Sequence, residues 1–368
     1  MSAVVLTPSP VETPLAPVPP DAAPPARSPW LVNPWFDLCL FANCLWPLYG
    51  LAAVIGIQQL NATLTFWQMY LLATPHRWIT LSLVFLDRER FDQRRLAYLS
   101  IMLFFLTLIV AALHLEVVAL LVAVDWLWNA WHFAAQHSGI ARIYNRQAHP
   151  ADKGNGMFEK VVLRSFLVYV IVRLAGAPLM GLDRAQWLGW LDNALFDMTP
   201  LGERHLRPGI AMVDFLVLLL PALLLLREIW RYTPAALGRL VYLTSVCLLY
   251  TSVLVGVHVE APSTHFTAFY GGMLMAMSVF HSTEYLAIVS WSVKKRHARS
   301  TTGVFAHLAR YWATAIVTFM VVMALGAWLL DTHYRHVWVI ITIFVSYLHY
   351  AYDGMIWKVR RPASASVA

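Results

Sequence analysis

The chain has 368 residues, of which 59% are hydrophobic and only 13% are charged, and its formal net charge is +7. Soluble domains average about 25% charged residues, so this composition excludes an ordinary water-soluble enzyme and a disordered chain. Three cysteines are too few for a disulfide framework. The sequence predicts an all-α integral membrane protein. Its basic residues lie between apolar segments and no nucleic-acid-binding motif accompanies them, so nucleic acid is not an expected partner.

The N-terminal end of the chain differs from its apolar middle. Residues 1–30 contain nine of the twenty prolines, and such a composition cannot form a packed element. We therefore predict a disordered, proline-rich cytoplasmic tail at 1–30, a single transmembrane helical domain at 31–358 and a short cytoplasmic tail at 359–368.

About ten segments are long and apolar enough to cross a membrane, which takes about 20 residues of α-helix. They lie near residues 36–58, 62–86, 96–113, 115–140, 159–180, 209–228, 236–258, 264–292, 304–330 and 335–357. Residues 181–208, which follow the fifth segment, mix tryptophans with acidic residues. This mixture predicts an amphipathic helix on the membrane surface, and a lid over a substrate portal is the alternative.

The basic residues alternate with the segments. Every even-numbered segment ends on a basic side, whereas the opposite connections carry few cations. The basic residues that follow the even segments include Arg88, Arg90, Arg94, Arg95, Arg142, Arg146, Arg227, Arg231, Lys294, Lys295, Lys358 and Arg360. By the positive-inside rule, both termini of this integral (cell or inner) membrane protein are predicted to be cytoplasmic.

Ionisable residues lie inside four of the predicted spans, where they are costly and therefore indicate a functional site. The candidates are His76 in the second span, His132 and His137 in the fourth, His281 and Glu284 in the eighth, and His349 and Asp353 in the tenth. The i, i+3 and i, i+4 spacings of the last two pairs place each pair on one helix face.

The fourth span carries a continuous polar stripe. Asp125, Asn129, His132 and Gln136 follow one another at spacings of four, three and four residues, so they share one helix face. At least one candidate in each of the four spans lies nine to thirteen residues before the basic end, namely His76, His132, His281 with Glu284, and His349, which places these residues within about 6 Å of one depth. Four helices are thus predicted to carry imidazoles and carboxylates in one layer.

Such a layer predicts a metal centre, because imidazole and carboxylate together suit non-haem iron, with other transition metals remaining possible. Seven candidate ligands exceed what one ion uses, so we predict two irons per chain. Asp125, Asn129 and Gln136 are predicted to orient the ligands by hydrogen bonds.

The histidine pattern resembles that of the histidine-rich integral-membrane di-iron enzymes, the fatty-acid desaturases and hydroxylases. His132 and His137, in the order H-x4-H, are similar to the first histidine box of that family. The resemblance implies an iron site at the cytosolic ends of spans that activates oxygen, although the family's HxxHH box is absent from this sequence. The Pro-His step at Pro75-His76 also resembles the polytopic carotenoid-cleaving oxygenases, which bind iron through membrane histidines.

These observations predict an oxygen-dependent oxidoreductase that acts on a lipid or another hydrophobic substrate by hydroxylation, desaturation or oxidative cleavage. Electrons are expected from a cytoplasmic donor, because the sequence contains no flavin or nicotinamide fingerprint; a basic rim at Arg88, Arg90, Arg94 and Arg95 is a candidate docking surface. Two alternatives remain open at this point. One is a proton-coupled or metal-ion transporter, and the other is a cytochrome b-like haem protein.

Overall fold

The fold is a bundle of α-helices. The computed structural model of the protein describes residues 28–150, 156–174, 196–198, 204–206, 208–259, 263–297 and 304–357. The predicted tail at 359–368 and nearly all of the tail at 1–30 lie outside these ranges.

Thirteen α-helices of six residues or more lie in the described ranges. They are α1 (Pro47–Phe66), α2 (Thr74–Phe85), α3 (Arg88–Gln93), α4 (Arg95–His114), α5 (Val118–Ala148), α6 (Gly156–Leu174), α7 (Pro208–Val217), α8 (Leu219–Trp230), α9 (Leu237–Gly256), α10 (Thr264–His297), α11 (Val304–Arg310), α12 (Trp312–His333) and α13 (Arg335–Ile356). A π-helical segment, Trp67–Ala73, joins α1 to α2. Shorter helical turns are formed by Pro34–Phe36, Asp37–Phe41 and Pro234–Ala236.

Among the described residues, seven helical segments are long and apolar enough to cross a membrane. They are Arg95–His114, Val118–Ala148, Gly209–Trp230, Pro234–Gly256, Thr264–Lys295, Trp312–His333 and Arg335–Ile356. They coincide with seven of the predicted spans, namely the third, the fourth and the sixth to the tenth. Large apolar side chains such as Leu103 and Phe215 lie exposed on their outer faces, as expected where the neighbour is lipid rather than water. The prediction of a helical integral membrane protein is thereby confirmed.

The first predicted span packs closely against α10, the most enclosed of these helices. The Nδ2 group of Asn43 donates a hydrogen bond of 2.9 Å to Thr283 Oγ1. Further on, Gly50 lies against Gly272, and a Cβ atom on Gly272 would lie 2.8 Å from the Gly50 Cα. Asn43 thus contacts a later residue of α10 than Gly50 does. This part of the chain therefore runs antiparallel to α10.

The second predicted span passes the same helix in the opposite direction. Gln68 Nε2 donates to Ser278 Oγ at 2.7 Å, and further on Thr80 Oγ1 lies 2.6 Å from Tyr285 OH. Gln68 contacts an earlier residue of α10 than Thr80 does. The π-helical segment and α2 therefore run parallel to α10. The contacts with α10 thus run in opposite orders before Gly50 and after Gln68, although Pro47–Phe66 forms one continuous α-helix with no break between the first and second predicted spans.

The close contact between Gly50 and Gly272 leads to a prediction about stability. A Cβ atom on Gly272 would lie 2.6 Å from the Tyr49 carbonyl oxygen, and backbone cannot swing away as a side chain can. We expect Gly272→Ala to lower the free energy of unfolding by about 1–3 kcal/mol through overpacking. Thermal unfolding in detergent measures this. Gly271→Ala is the matched control, since nothing lies within 4 Å of its added Cβ; equal effects of both substitutions would contradict the prediction.

The region after the fifth predicted span differs from its prediction where it is described. Helix α6, Gly156–Leu174, occupies the start of that span. In place of the amphipathic helix predicted for 181–208, the described pieces include two antiparallel strands, β1 (Phe196–Met198) and β2 (Arg204–Leu206). A helix is therefore wrong for these two pieces. Residues 175–195 and 199–203 lie outside the described residues.

Candidate metal centre

Four of the predicted histidines come together inside the bundle, each from a different helix. They are His76 of α2, His132 of α5, His281 of α10 and His349 of α13, and all four are buried. We call them the four-histidine cluster. The ring centroids of His281 lie 5.1 Å from His76 and 4.9 Å from His132. Those of His349 lie 5.1 Å from His76 and 4.6 Å from His132. The imidazoles therefore close a ring of four around a common centre.

The start of α2 sets the position of His76. Pro75 has no backbone N–H to donate, and the chain changes there from π-helix to α-helix. The His76 ring follows directly, with its Nδ1 atom 3.2 Å from Ser282 Oγ on α10. Because Nδ1 is engaged in this way, Nε2 is the atom left to serve as a ligand.

His281 is the most informative member of the cluster. Its side chain is 0% exposed, and neither ring nitrogen has a hydrogen-bond partner. One face of the ring stacks on Phe133, with centroids 3.7 Å apart. A buried polar group without a partner costs about 1–3 kcal/mol, and buried polar groups in proteins are nearly always satisfied. The lone pair of this imidazole is therefore available to a ligand at the centre of the cluster.

His349 and His132 point their Nε2 atoms towards one another, 3.0 Å apart. Two metal–nitrogen bonds of about 2.1 Å at a right angle place their nitrogens about 3.0 Å apart, so this spacing suits two neighbouring ligands of one ion. On the other side of the His349 ring, Nδ1 lies 2.6 Å from Thr80 Oγ1. This contact fixes the orientation of the ring, as the outer hydrogen bonds of metal-bound histidines do.

Asp353 brings one carboxylate to the edge of the cluster. Its Oδ2 atom lies 3.9 Å from Nε2 of both His132 and His349, and one ligand atom of each of these three residues lies within 4.8 Å of the others. Its Oδ1 atom accepts a hydrogen bond of 2.5 Å from Tyr285 OH. Ligand atoms of His76, His281 and His349 satisfy the same 4.8 Å limit. The two groups overlap, because both contain His349.

The two other predicted ligands, His137 and Glu284, lie together and apart from this site. The Nδ1 atom of His137 is 3.2 Å from the Glu284 carboxylate, and its Nε2 is 3.3 Å from Tyr250 OH. Glu284 also accepts hydrogen bonds from Tyr242 and from Gln136, the latter at 2.6 Å. We call this the His137–Glu284 pair. Both ring nitrogens of its histidine have partners, in contrast to those of His281.

The three predicted orienting residues have different surroundings. Gln136 Nε2 contacts the His137–Glu284 pair and also donates to the His281 carbonyl oxygen at 2.9 Å. Asn129 accepts a hydrogen bond of 3.1 Å from Tyr350 OH, and the Tyr350 ring packs 4.9 Å from that of His132. Asp125 also hydrogen-bonds Tyr350. Asn129 and Asp125 therefore act on the cluster through a tyrosine and not by direct contact.

Sequence reasoning missed several tyrosines that surround the site. Tyr285 holds the carboxylate of Asp353, while Tyr242 and Tyr250 of α9 hold the His137–Glu284 pair. A usable signal was present, because Tyr242 and Tyr250 are eight residues apart and so lie near one face of α9, and Tyr285 follows His281 by one helical turn.

No protein-family model, curated protein or solved structure matches this chain. The chemistry of the site therefore follows from its own residues. Two groups of buried side chains, His76 with His281 and His349, and His132 with His349 and Asp353, are of the type that could hold a transition-metal ion.

Proposed function

We propose that the protein is a membrane-embedded metalloenzyme whose four-histidine cluster binds one iron ion, with Asp353 as a fifth ligand. The observation that supports this most strongly is the buried His281 ring with two unpartnered nitrogens, facing three other imidazoles. The His137–Glu284 pair is internally hydrogen-bonded, so we assign it outside the ion's ligands. One ion therefore replaces the two irons predicted from seven ligands.

The proposed reaction is an oxygen-dependent oxidation of a hydrophobic substrate. The four histidines and Asp353 would hold the ion, and a bound iron would supply oxygen activation. The site lies within helices that also expose apolar surface, so a lipid-soluble substrate can approach without crossing water. Burial excludes water, which protects reactive intermediates from side reactions. Thr80 and Tyr285 hold His349 and Asp353 in position.

The proposed topology has ten spans with both termini in the cytoplasm. Beyond the seven long apolar helices, the opposite order of the contacts with α10 before Gly50 and after Gln68 supports two passages in the segment before α3. Helix α6 supplies the tenth. The site would then lie in the cytoplasmic half, within reach of a cytoplasmic electron donor at the basic rim.

Elemental analysis and a visible spectrum of the same detergent-purified sample test the metal assignment. About one iron per chain without the intense Soret band of haem supports it, and oxygen consumption with lipid extracts and a reductant is then the assay for activity. About two irons would restore the sequence-based expectation. A Soret band would favour the cytochrome, although the four rings lie too close together to admit a porphyrin between them.

Metal-free, colourless protein would instead favour a proton-coupled transporter, and one observation supports that second candidate. The ring of His137 lies 6.4 Å from that of His281, so the His137–Glu284 pair continues the line of buried titratable groups beyond the cluster. Such chains serve as proton relays in transporters. Proton flux into liposomes is the assay that distinguishes it.

A further inference from the structure

Three cations meet in a groove between α5 and α6, away from the metal site. Arg164 is held in place there, because its Nε donates a hydrogen bond of 2.7 Å to Ser138 Oγ and its guanidinium lies 5.1 Å from the centre of the Trp131 ring. Lys160 lies one helical turn earlier on α6. The third cation is Arg142 of α5, and we call Arg142, Lys160 and Arg164 the basic notch.

The start of α6 brings Arg142 into the same groove. Gly156 precedes Lys160 by one helical turn, and the Arg142 Nε lies 3.4 Å from the position that a Cβ on Gly156 would occupy. Lys160 is subject to electrostatic repulsion from both Arg164 and Arg142. Helix α6 begins at Gly156, so the positive end of its helix dipole lies at the same place.

No carboxylate among the described residues pairs with the basic notch, which sets it apart from the other cations of α6, α8 and α9. Nearby, Arg227 and Arg239 both bind Glu159, at 2.8 Å and 3.1 Å. The cations Arg227 and Arg239, which have a structural role, therefore have an acid beside them. Three like charges held together with no acid among the described residues favour an anion from outside the chain.

The surroundings of the basic notch suit the headgroup of a lipid. Trp131, Met157 and Val161 flank it on α5 and α6, and they are 52%, 64% and 53% exposed. Such side chains offer apolar contact to acyl chains, while the cations stand near the end of the bundle where α5 ends and α6 begins. Basic pockets between membrane helices at that level bind anionic headgroups.

We propose that the basic notch is a binding site for the phosphate of an anionic phospholipid. The proposal is independent of the metal centre, because none of its residues contacts the four-histidine cluster or Asp353. Arg164, fixed by Ser138 and Trp131, provides the rigid part of the site. Arg142 and Lys160 close on the phosphate from the two helices.

Native mass spectrometry of the full chain in mild detergent tests this with phosphatidylglycerol, and with zwitterionic phosphatidylcholine as the comparison lipid. Wild-type protein is expected to retain phosphatidylglycerol preferentially. The double variant R142Q/K160Q is expected to bind it about thirty-fold more weakly, that is, about fivefold for each lost cation. The control R88Q/K294Q removes the same charge from two other exposed basic sites and is expected to change binding less than twofold.

Equal weakening in both double variants, or none in R142Q/K160Q, would overturn the proposal. The charge-preserving variant R142K/K160R should retain the lipid, which separates loss of charge from loss of folding. A molar excess of inorganic phosphate should leave the lipid bound. If phosphate displaces it as readily as a second phospholipid does, the site takes a free anion and the lipid assignment is wrong.

Discussion

Replacing His281 by alanine is expected to remove at least nine-tenths of the metal that co-purifies with the protein and to abolish any metal-dependent activity. The imidazole is fully buried, both its nitrogens lack partners, and it faces His76 and His132 at ring distances of 5.1 and 4.9 Å. Loss of one ligand from a compact set lowers metal affinity by well over the tenfold to hundredfold typical of an outer hydrogen bond. Elemental analysis of membrane-inserted, purified variants measures the loss.

The matched control is His333→Ala, which removes an exposed imidazole at the end of α12. It should retain full metal content. A second comparison tests the division between the two groups of residues. Glu284→Gln should leave the metal in place, since Glu284 bonds to His137, Gln136 and Tyr242. Full occupancy in His281→Ala, or complete loss in Glu284→Gln, would show that the ion is held elsewhere.

Chelation provides an independent measurement of the same site. A ligand present at about a thousand times its dissociation constant stabilises the folded state by about 4 kcal/mol. Removing the metal should therefore lower the melting temperature of the wild-type protein by several degrees. His281→Ala, which has little metal to lose, should show almost no shift. A shift as large as that of the wild type would contradict a role for His281 as ligand.

The sequence was sufficient to predict the layer of histidines because two simple rules act together there. A polar residue in a lipid-spanning helix is costly, and the helical rise of 1.5 Å per residue converts position in the chain into depth. His76, His132, His281 and His349 satisfy both rules, and the structure places all four rings in contact. The long apolar helices follow from composition in the same way.

The division of the predicted ligands into two groups could not be predicted by these rules. His281 and Glu284 are three residues apart, which separates their directions by about 60° around the helix axis. That angle is small enough to suggest one site and large enough to reach two different neighbours. Glu284 meets His137 and Tyr242, while His281 meets His132. Which neighbour stands in each direction depends on helix packing, and spacing along one helix carries no information about it.

A buried ionic network at one end of the bundle is expected to be as important for stability as the cluster is for metal binding. Arg239 of α9 is 1% exposed. Its NH2 group donates to Glu228 at 2.7 Å and lies 3.1 Å from Glu159, and its NH1 group donates to Asn145. One guanidinium thus joins α5, α6, α8 and α9. Both carboxylates are buried with it, so neither can turn to water if it is removed.

Arg239→Ala is therefore expected to lower the free energy of unfolding by about 3–5 kcal/mol, because it leaves the buried Glu228 carboxylate without its ion-pair partner and removes one of the partners of Glu159. Denaturant unfolding in mixed micelles measures the change. Arg88→Ala is the control, since Arg88 and Asp92 form an exposed pair 3.7 Å apart whose loss costs less than about 1 kcal/mol. The triple variant R239M/E228Q/E159Q removes all the buried charge together and should recover most of the lost stability. If the triple variant were less stable than Arg239→Ala, the explanation by unpaired buried carboxylates would be wrong. The ion pairs would then themselves stabilise the packing of these four helices.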